Sequence, residues 1–238
     1  MIDSSSLYAS SPLRELFAQE LAALAPILAG VYGNFGLFLR AHDGAPAALP
    51  KHLLGTVIEL ALGDVAHFNG RLSCRVDELP FASESCKLVV AQHVFERLAA
   101  PEACASELAR VLAPEGIALI LGFNPLTLWR PWLAGKARQS GVALHMQSAQ
   151  AAQQAFARHG IEILQTRYFG TALPRVRELA PDDAQNAWRS PTFGRVAASW
   201  LLLARKRHSA LTPLRLRKNA RELALNPRLA PGAHRECA

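Results

Sequence analysis

The chain has 238 residues, 50% of them apolar and 19% charged, with 26 Lys and Arg against 19 Asp and Glu. That balance excludes a disordered chain and a fibrous one, and the length fits one ordinary domain with or without a tail. No apolar run approaches the ~18 residues of a membrane span, and the Met-Ile-Asp-Ser-Ser-Ser start lacks the basic-then-apolar order of a secretory leader, so a cytoplasmic setting is expected.

In chain order, Ser11 and Pro12 offer a cap and a first-turn proline, and Leu13, Leu16, Phe17, Leu21, Leu24 and Leu28 then recur at helical spacing. The spacing predicts an amphipathic helix, kinked at Pro26 and ended by the stretch from Gly30 to Gly36. Strands are expected over 35–40, 56–62 and 71–76, the first followed by the turn-rich His42-Asp43-Gly44-Ala45-Pro46. Residues 86–92, with Leu88, Val89 and Val90 in succession, read as a strand buried on both faces. A helix opens at Pro101, places Cys104, Ala105, Leu108, Val111 and Leu112 on one side and stops at Gly116, before an apolar strand over 117–122. The same grammar recurs as a helix over 149–158, a left-handed cap at Gly160 and a strand over 161–169, and 199–206 supplies a last strand. Helix followed by buried strand predicts a doubly wound, mostly parallel α/β sheet with helices on both faces. The expected organisation is a helical cap over 1–34, an α/β domain over 35–208 and a basic tail over 209–238.

The charge is uneven. From Arg205 onward there are nine basic and two acidic residues, whereas residues 1–204 carry seventeen of each sign. The tail holds three prolines and few large apolar residues, too little to offset its ordering entropy, so it reads as mobile. It serves either as a solubilising extension or as a docking arm for RNA, DNA or an acidic lipid surface. The cysteines Cys74, Cys86, Cys104 and Cys237 lack Cys-x-x-Cys spacing and a histidine at finger distance, so reduced thiols are expected, with neither a disulfide framework nor a metal site.

The densest group of chemistry-bearing residues runs from Arg75 to Pro125. Asp77-Glu78-Leu79-Pro80-Phe81 leads into the buried strand, Gln92-His93-Val94-Phe95-Glu96-Arg97 follows it, and the next helix closes in Arg110-Val111-Leu112-Ala113-Pro114-Glu115-Gly116. This run strongly resembles the class I S-adenosylmethionine-dependent methyltransferases of the type 11 branch. The sequence from Gly122 to Trp129, with Leu203-Ala204-Arg205-Lys206, is similar to one bacterial subgroup. The resemblance implies a seven-stranded-type Rossmann-like sheet with an antiparallel last strand, S-adenosylmethionine as cofactor, and methyl transfer to an unidentified acceptor. It assigns Asp77 to the adenine amine, Glu78 and Leu79 to the adenine lining, and Gln92 and His93 to the methionine and sulfonium portion. A carboxylate accepts from an exocyclic amine, and ligands of open α/β sheets sit beyond the carboxyl ends of the strands. Asp77 could equally cap a turn, and His93 could be a general base or a hydrogen-bonded histidine at a strand end.

The first strand departs from the pattern. His42, Asp43 and Gly44 stand where the family places an acid and several glycines that let backbone approach the cofactor, and only one glycine remains. Little room is left between this loop and Asp77 for two full helices and a strand. Asp64, 21 positions beyond Asp43, fits either a ribose carboxylate or a plain turn. Arg97 stands where a histidine is common, and the Glu96-Arg97 pair could cap the following helix. No acidic residue occurs from Ile117 to Gly160, so Asn124, Trp129, Arg130 and Trp132 form a candidate substrate surface, with an apolar cover as the alternative. Trp188, Arg189 and Phe193 border the same expected mouth. Methyl transfer is the first functional expectation. A catalytically degenerate member with a binding or regulatory role is the second, and an RNA methyltransferase using the tail the third.

Overall fold

A computed structural model describes residues 5–8, 10–45, 49–171, 173–174 and 197–207, all within a compact unit that ends at His208. The expected tail, Trp188, Arg189 and Phe193 lie outside the described residues. The apolar runs form the centre of one eight-stranded sheet. In chain order its strands are β1 (Tyr32–Arg40), β2 (Leu53–Leu62), β3 (His67–Gly70), β4 (Cys74–Arg75), β5 (Cys86–Gln92), β6 (Leu112–Phe123), β7 (Ile161–Phe169) and β8 (Ser199–Lys206). Their spatial order is β4-β3-β2-β1-β5-β6-β8-β7, and β2, β1, β5 and β6 are mutually parallel. The last strand, β8, runs antiparallel to both β6 and β7.

Alternation along each central strand divides the core between the two faces. Leu37, Leu39, Val89, Ala91, Ala118 and Ile120 point to one face, where α4 (Pro101–Val111) and α6 (Ala149–Arg158) supply Cys104, Leu108 and Phe156. Phe38, Leu88, Val90, Leu119 and Leu121 point to the other, under Leu21, Leu24 and Leu28. These last belong to α2 (Ser11–Ala23), α3 (Ala25–Leu28) and the residue between them. Each buried leucine, isoleucine, valine or phenylalanine among them contributes about 1.5–3 kcal/mol of transfer free energy. The first turns of α2 pack elsewhere: Leu13, Leu16 and Phe17 join Phe123, Trp129, Leu133 and Phe169 over the carboxyl edge of the sheet.

Several local expectations are corrected. Ser10, in extended backbone, precedes α2 and stands at its cap position, while Pro12 falls inside the first turn; the helix breaks at Leu24, just before Pro26. α4 stops at Val111, and Gly116 lies within β6, following Glu115 at φ 57°. The segment after β6 contains a helix, α5 (Trp129–Gln139), and the expected strand at 71–76 is reduced to Cys74–Arg75 behind an antiparallel β3. No described residue between β1 and β2 is helical, and β2 turns straight back into β3, so the tight spacing seen in the sequence is met by omitting helices. No described helix is long and apolar enough to cross a membrane.

Candidate functional site

The connection leaving β1 runs to β2 on one side, whereas β5 pairs with β1 on the other. This reversal makes the crevice beyond the carboxyl ends of β1 and β5 the place where an open α/β sheet receives a ligand. Ala41 closes β1 there, Leu62 closes β2, and Gln92 and His93 close β5. His93 has φ 53°, a left-handed backbone unusual for a side chain of its size, and its N–H donates to the Leu121 carbonyl at 3.1 Å.

Polar side chains converge on this spot from α2 and from the turn after β5. Gln92 Nε2 donates to the Phe17 carbonyl and to Glu20 Oε2, both at 3.1 Å. His93 Nε2 pairs with Glu20 Oε2 at 3.0 Å, and its Nδ1 lies 3.5 Å from Glu96 Oε1. Glu96 also accepts from the Phe123 N–H at 2.7 Å. Arg97 Nη1 donates to the carbonyls of Ala41 and Leu62, the last links of β1 and β2, and its guanidinium stacks 5.6 Å from the Tyr8 ring. The His93 ring lies between Phe17, 4.6 Å away, and Phe123, 3.9 Å away. Burial alone works against a charged imidazole, but the Glu20 carboxylate, helped by Glu96, outweighs it and raises the His93 pKa to about 9.

Glu20 and His93 are 0% exposed and Gln92 is 1% exposed, so side chains of α1 (Ser5–Tyr8) and α2 fill the crevice. Yet Tyr8 Oη, Gln92 Oε1, Glu96 Oε2 and Arg97 Nε are buried without a hydrogen-bond partner among the described residues. Buried polar groups are normally satisfied, so this gathering is costly for folding alone. The groups present suit a polar, charged ligand, while the space is taken by Phe17 and Glu20.

The other residues singled out from the sequence lie around this crevice or away from it. His42 Nδ1 accepts from the Gly44 N–H at 2.9 Å, and its ring stacks on Tyr8 at 5.4 Å. Asp43 is exposed, and Arg40 reaches the Asp43 and Ala45 carbonyls, which fixes the turn. Asp64 Oδ1 accepts from the N–H groups of Ala66 and His67 at 2.8 and 2.7 Å, chiefly the first of which holds its carboxyl below the usual carboxylate range. It thereby closes the β2 to β3 hairpin. Asp77 makes a two-pronged pair with Arg75, at 2.8 and 2.7 Å, and that guanidinium lowers its pKa. Glu78 is exposed, whereas Leu79 is buried, its N–H donating to Glu107 and its carbonyl accepting from Arg110. The structure therefore gathers Gln92 and His93 at the crevice with His42 nearby, and leaves Asp64 and Asp77 outside its buried cluster.

On the far side, Asn124 Nδ2 donates to the Ala197 carbonyl and its Oδ1 accepts from the Leu126 N–H. Trp129 is buried, donates to the Thr171 carbonyl and meets Trp132 edge-on at 5.6 Å. Arg130 is exposed, as are Leu126 and Leu128. Among the described residues no group of three His, Cys, Asp or Glu side chains is arranged to hold a metal ion. Glu20 escaped the sequence reading, although one acidic residue in the middle of the Leu13, Leu16, Phe17, Leu21, Leu24 stripe was a usable signal.

Residues 56–120 match the family model of the type 11 methyltransferase domain. Comparison with curated protein sequences gives no match. Among solved structures, a Thermotoga maritima S-adenosylmethionine-dependent methyltransferase is 13% identical over 82% of this chain and 91% of its own, with TM-score 0.58. A chain from the Haloferax volcanii complex of the Trm112 methyltransferase activator with a methyltransferase is 16% identical over 87% of this chain and 100% of its own, with TM-score 0.53. A Bacillus halodurans methyltransferase is 16% identical over 79% of this chain and 99% of its own, with TM-score 0.50. The matched segment is similar to the type 11 methyltransferase domain, and the fold around it is that of the class I S-adenosylmethionine-dependent methyltransferases.

Proposed function

We propose that the chain catalyses S-adenosylmethionine-dependent methyl transfer, with the cofactor received at the carboxyl ends of β1 and β5. The observation that carries this reading is the cluster of buried, incompletely satisfied polar and charged groups at that edge, where Tyr8, Glu20, Gln92, His93, Glu96 and Arg97 meet. When bound, the cofactor supplies a methyl group on a sulfonium. Gln92, His93 and the His42 to Gly44 turn would hold its methionine portion, Asp77 its adenine amine and Asp64 its ribose. The acceptor would approach past Asn124, Trp129, Arg130 and Trp132, where positioning supplies much of the acceleration in an in-line displacement.

Calorimetry on the full chain with S-adenosylmethionine and its demethylated product, S-adenosylhomocysteine, tests the reading. Micromolar binding is expected, weakened about tenfold by Asp77→Ala through loss of a hydrogen-bond partner. Unchanged affinity in that variant removes Asp77 from the site. A second reading, a non-catalytic family member with a binding role, draws on the Arg75 side chain that neutralises Asp77 and on Arg97, which occupies the carbonyls at the ends of β1 and β2. Absence of binding at millimolar cofactor, in the full chain and in a variant with a weakened α2, decides for it.

A further inference from the structure

We infer that the amino-terminal helices α1 and α2 are an internal occupant of the cofactor crevice, so that cofactor binds only when Tyr8, Phe17 and Glu20 withdraw. The inference rests on the proposed cofactor reading and adds a gate to it. Three independent contacts carry it. The Glu20 carboxylate takes hydrogen bonds from Gln92 Nε2 and from His93, the two residues assigned to the cofactor's methionine end. The Phe17 ring covers the open face of His93, and the Tyr8 ring covers both His42 and Arg97. No accessible surface remains on Glu20, His93, Ala41 or Tyr8 beyond 2%, so these groups are closed to solvent.

The covering part of α2 is separable from its anchor. Leu21, Leu24 and Leu28 grip the sheet face, whereas Leu13, Leu16 and Phe17 pack against Phe123, Trp129, Leu133 and Phe169. The chain already bends at Leu24 and Pro26. Opening about that break therefore exchanges the contacts of α1 and α2, Leu21 included, while Leu24 and Leu28 stay seated. The polar atoms left without partners in the closed arrangement, Tyr8 Oη, Gln92 Oε1, Glu96 Oε2 and Arg97 Nε, are what a self-filled site leaves over when the filler matches its ligand imperfectly. Apparent affinity then equals intrinsic affinity multiplied by the open fraction, so loosening the occupant tightens binding.

The test measures S-adenosylhomocysteine binding to the full chain and to the double variant Phe17→Ala and Glu20→Ala, and follows amide hydrogen exchange of the unmodified full chain with and without the compound. The gate predicts roughly tenfold or more tighter binding by the double variant. It also predicts faster exchange over residues 7–20 and slower exchange over 88–97 when the compound is added. Binding that is equal or weaker in the double variant, with residues 7–20 equally or better protected in the bound state, overturns the gate and leaves the cofactor reading standing. Failure of both proteins to bind overturns the cofactor reading and the gate with it. The exchange measurement needs no substitution, so a double variant that fails to fold does not shield the inference.

Discussion

To one side of the line between β1 and β5, the strands β5, β6, β8 and β7 lie beneath α4 and α6 on one face, and Leu88, Val90, Leu119, Leu121 and Leu201 are fully buried on the other. To the other side, β2, β3 and β4 carry no helix of their own among the described residues, and the loop around Leu79 and Phe81 covers one face. There Tyr32 and Leu53, partners at the amino ends of β1 and β2, are 71% and 67% exposed. Beside them a cavity of about 250 Å³ is lined by Phe35, Leu37, Ile58, Pro80, Phe81 and Cys86. The contrast teaches that the helix-covered half of the sheet buries the larger core, while the other half is closed by the loop around Leu79 on one face and by residues around Leu28 and Val31 on the other.

The largest test of this asymmetry is Trp200→Ala on β8. The indole donates to the Phe123 and Gln147 carbonyls and fills the space over Gly122, where a Cβ would fall 2.2 Å from its ring. A loss of about 3–5 kcal/mol is expected, read from the guanidinium chloride midpoint. His93, on the dividing line, comes next. Its folded pKa of about 9 lies above the unfolded value of 6.5, so its pairing with Glu20 and Glu96 stabilises fully below pH 6.5 and is lost as the pH rises through 9. Relative to His93→Gln, the unmodified chain should lose on the order of 3 kcal/mol across that window; identical profiles would dissolve the pair. The smallest effect is expected for Phe81→Ala, at about 1 kcal/mol, because the ring is half-buried and already borders a cavity. A cost matching that of Trp200→Ala would erase the difference between the halves.

The same division decided what could be read from the sequence. β5, α6, β7 and β8 occupy the expected ranges Cys86–Gln92, Ala149–Arg158, Ile161–Phe169 and Ser199–Lys206: burial on both faces writes apolar runs into β5 and β8, and Gly160 at φ 74° marks the turn between the amphipathic α6 and the edge strand β7. β3 is four residues long with only Phe68 buried, which leaves no period to detect. α5 was hidden by Pro131, Arg130, Lys136 and Arg138, although Trp129, Leu133 and Ala137 keep helical spacing. At the crevice, the position of Gln92 and His93 at the carboxyl end of β5 followed from the apolar run before them. Glu20, 73 positions before His93, meets it only through tertiary packing, and no local pattern encodes such a meeting.

The order of the last two strands bears on biosynthesis. β8 is inserted between β6 and β7, and among the described residues β7 pairs with no other strand. A nascent chain that has emerged only as far as Phe169 thus carries β7 with nothing to zip against and β6 with a bare flank, and both are completed together when Lys206 clears the ribosome. Until then the growing polypeptide exposes an aggregation-prone edge, so β8 acts as the closing stitch between β6 and β7.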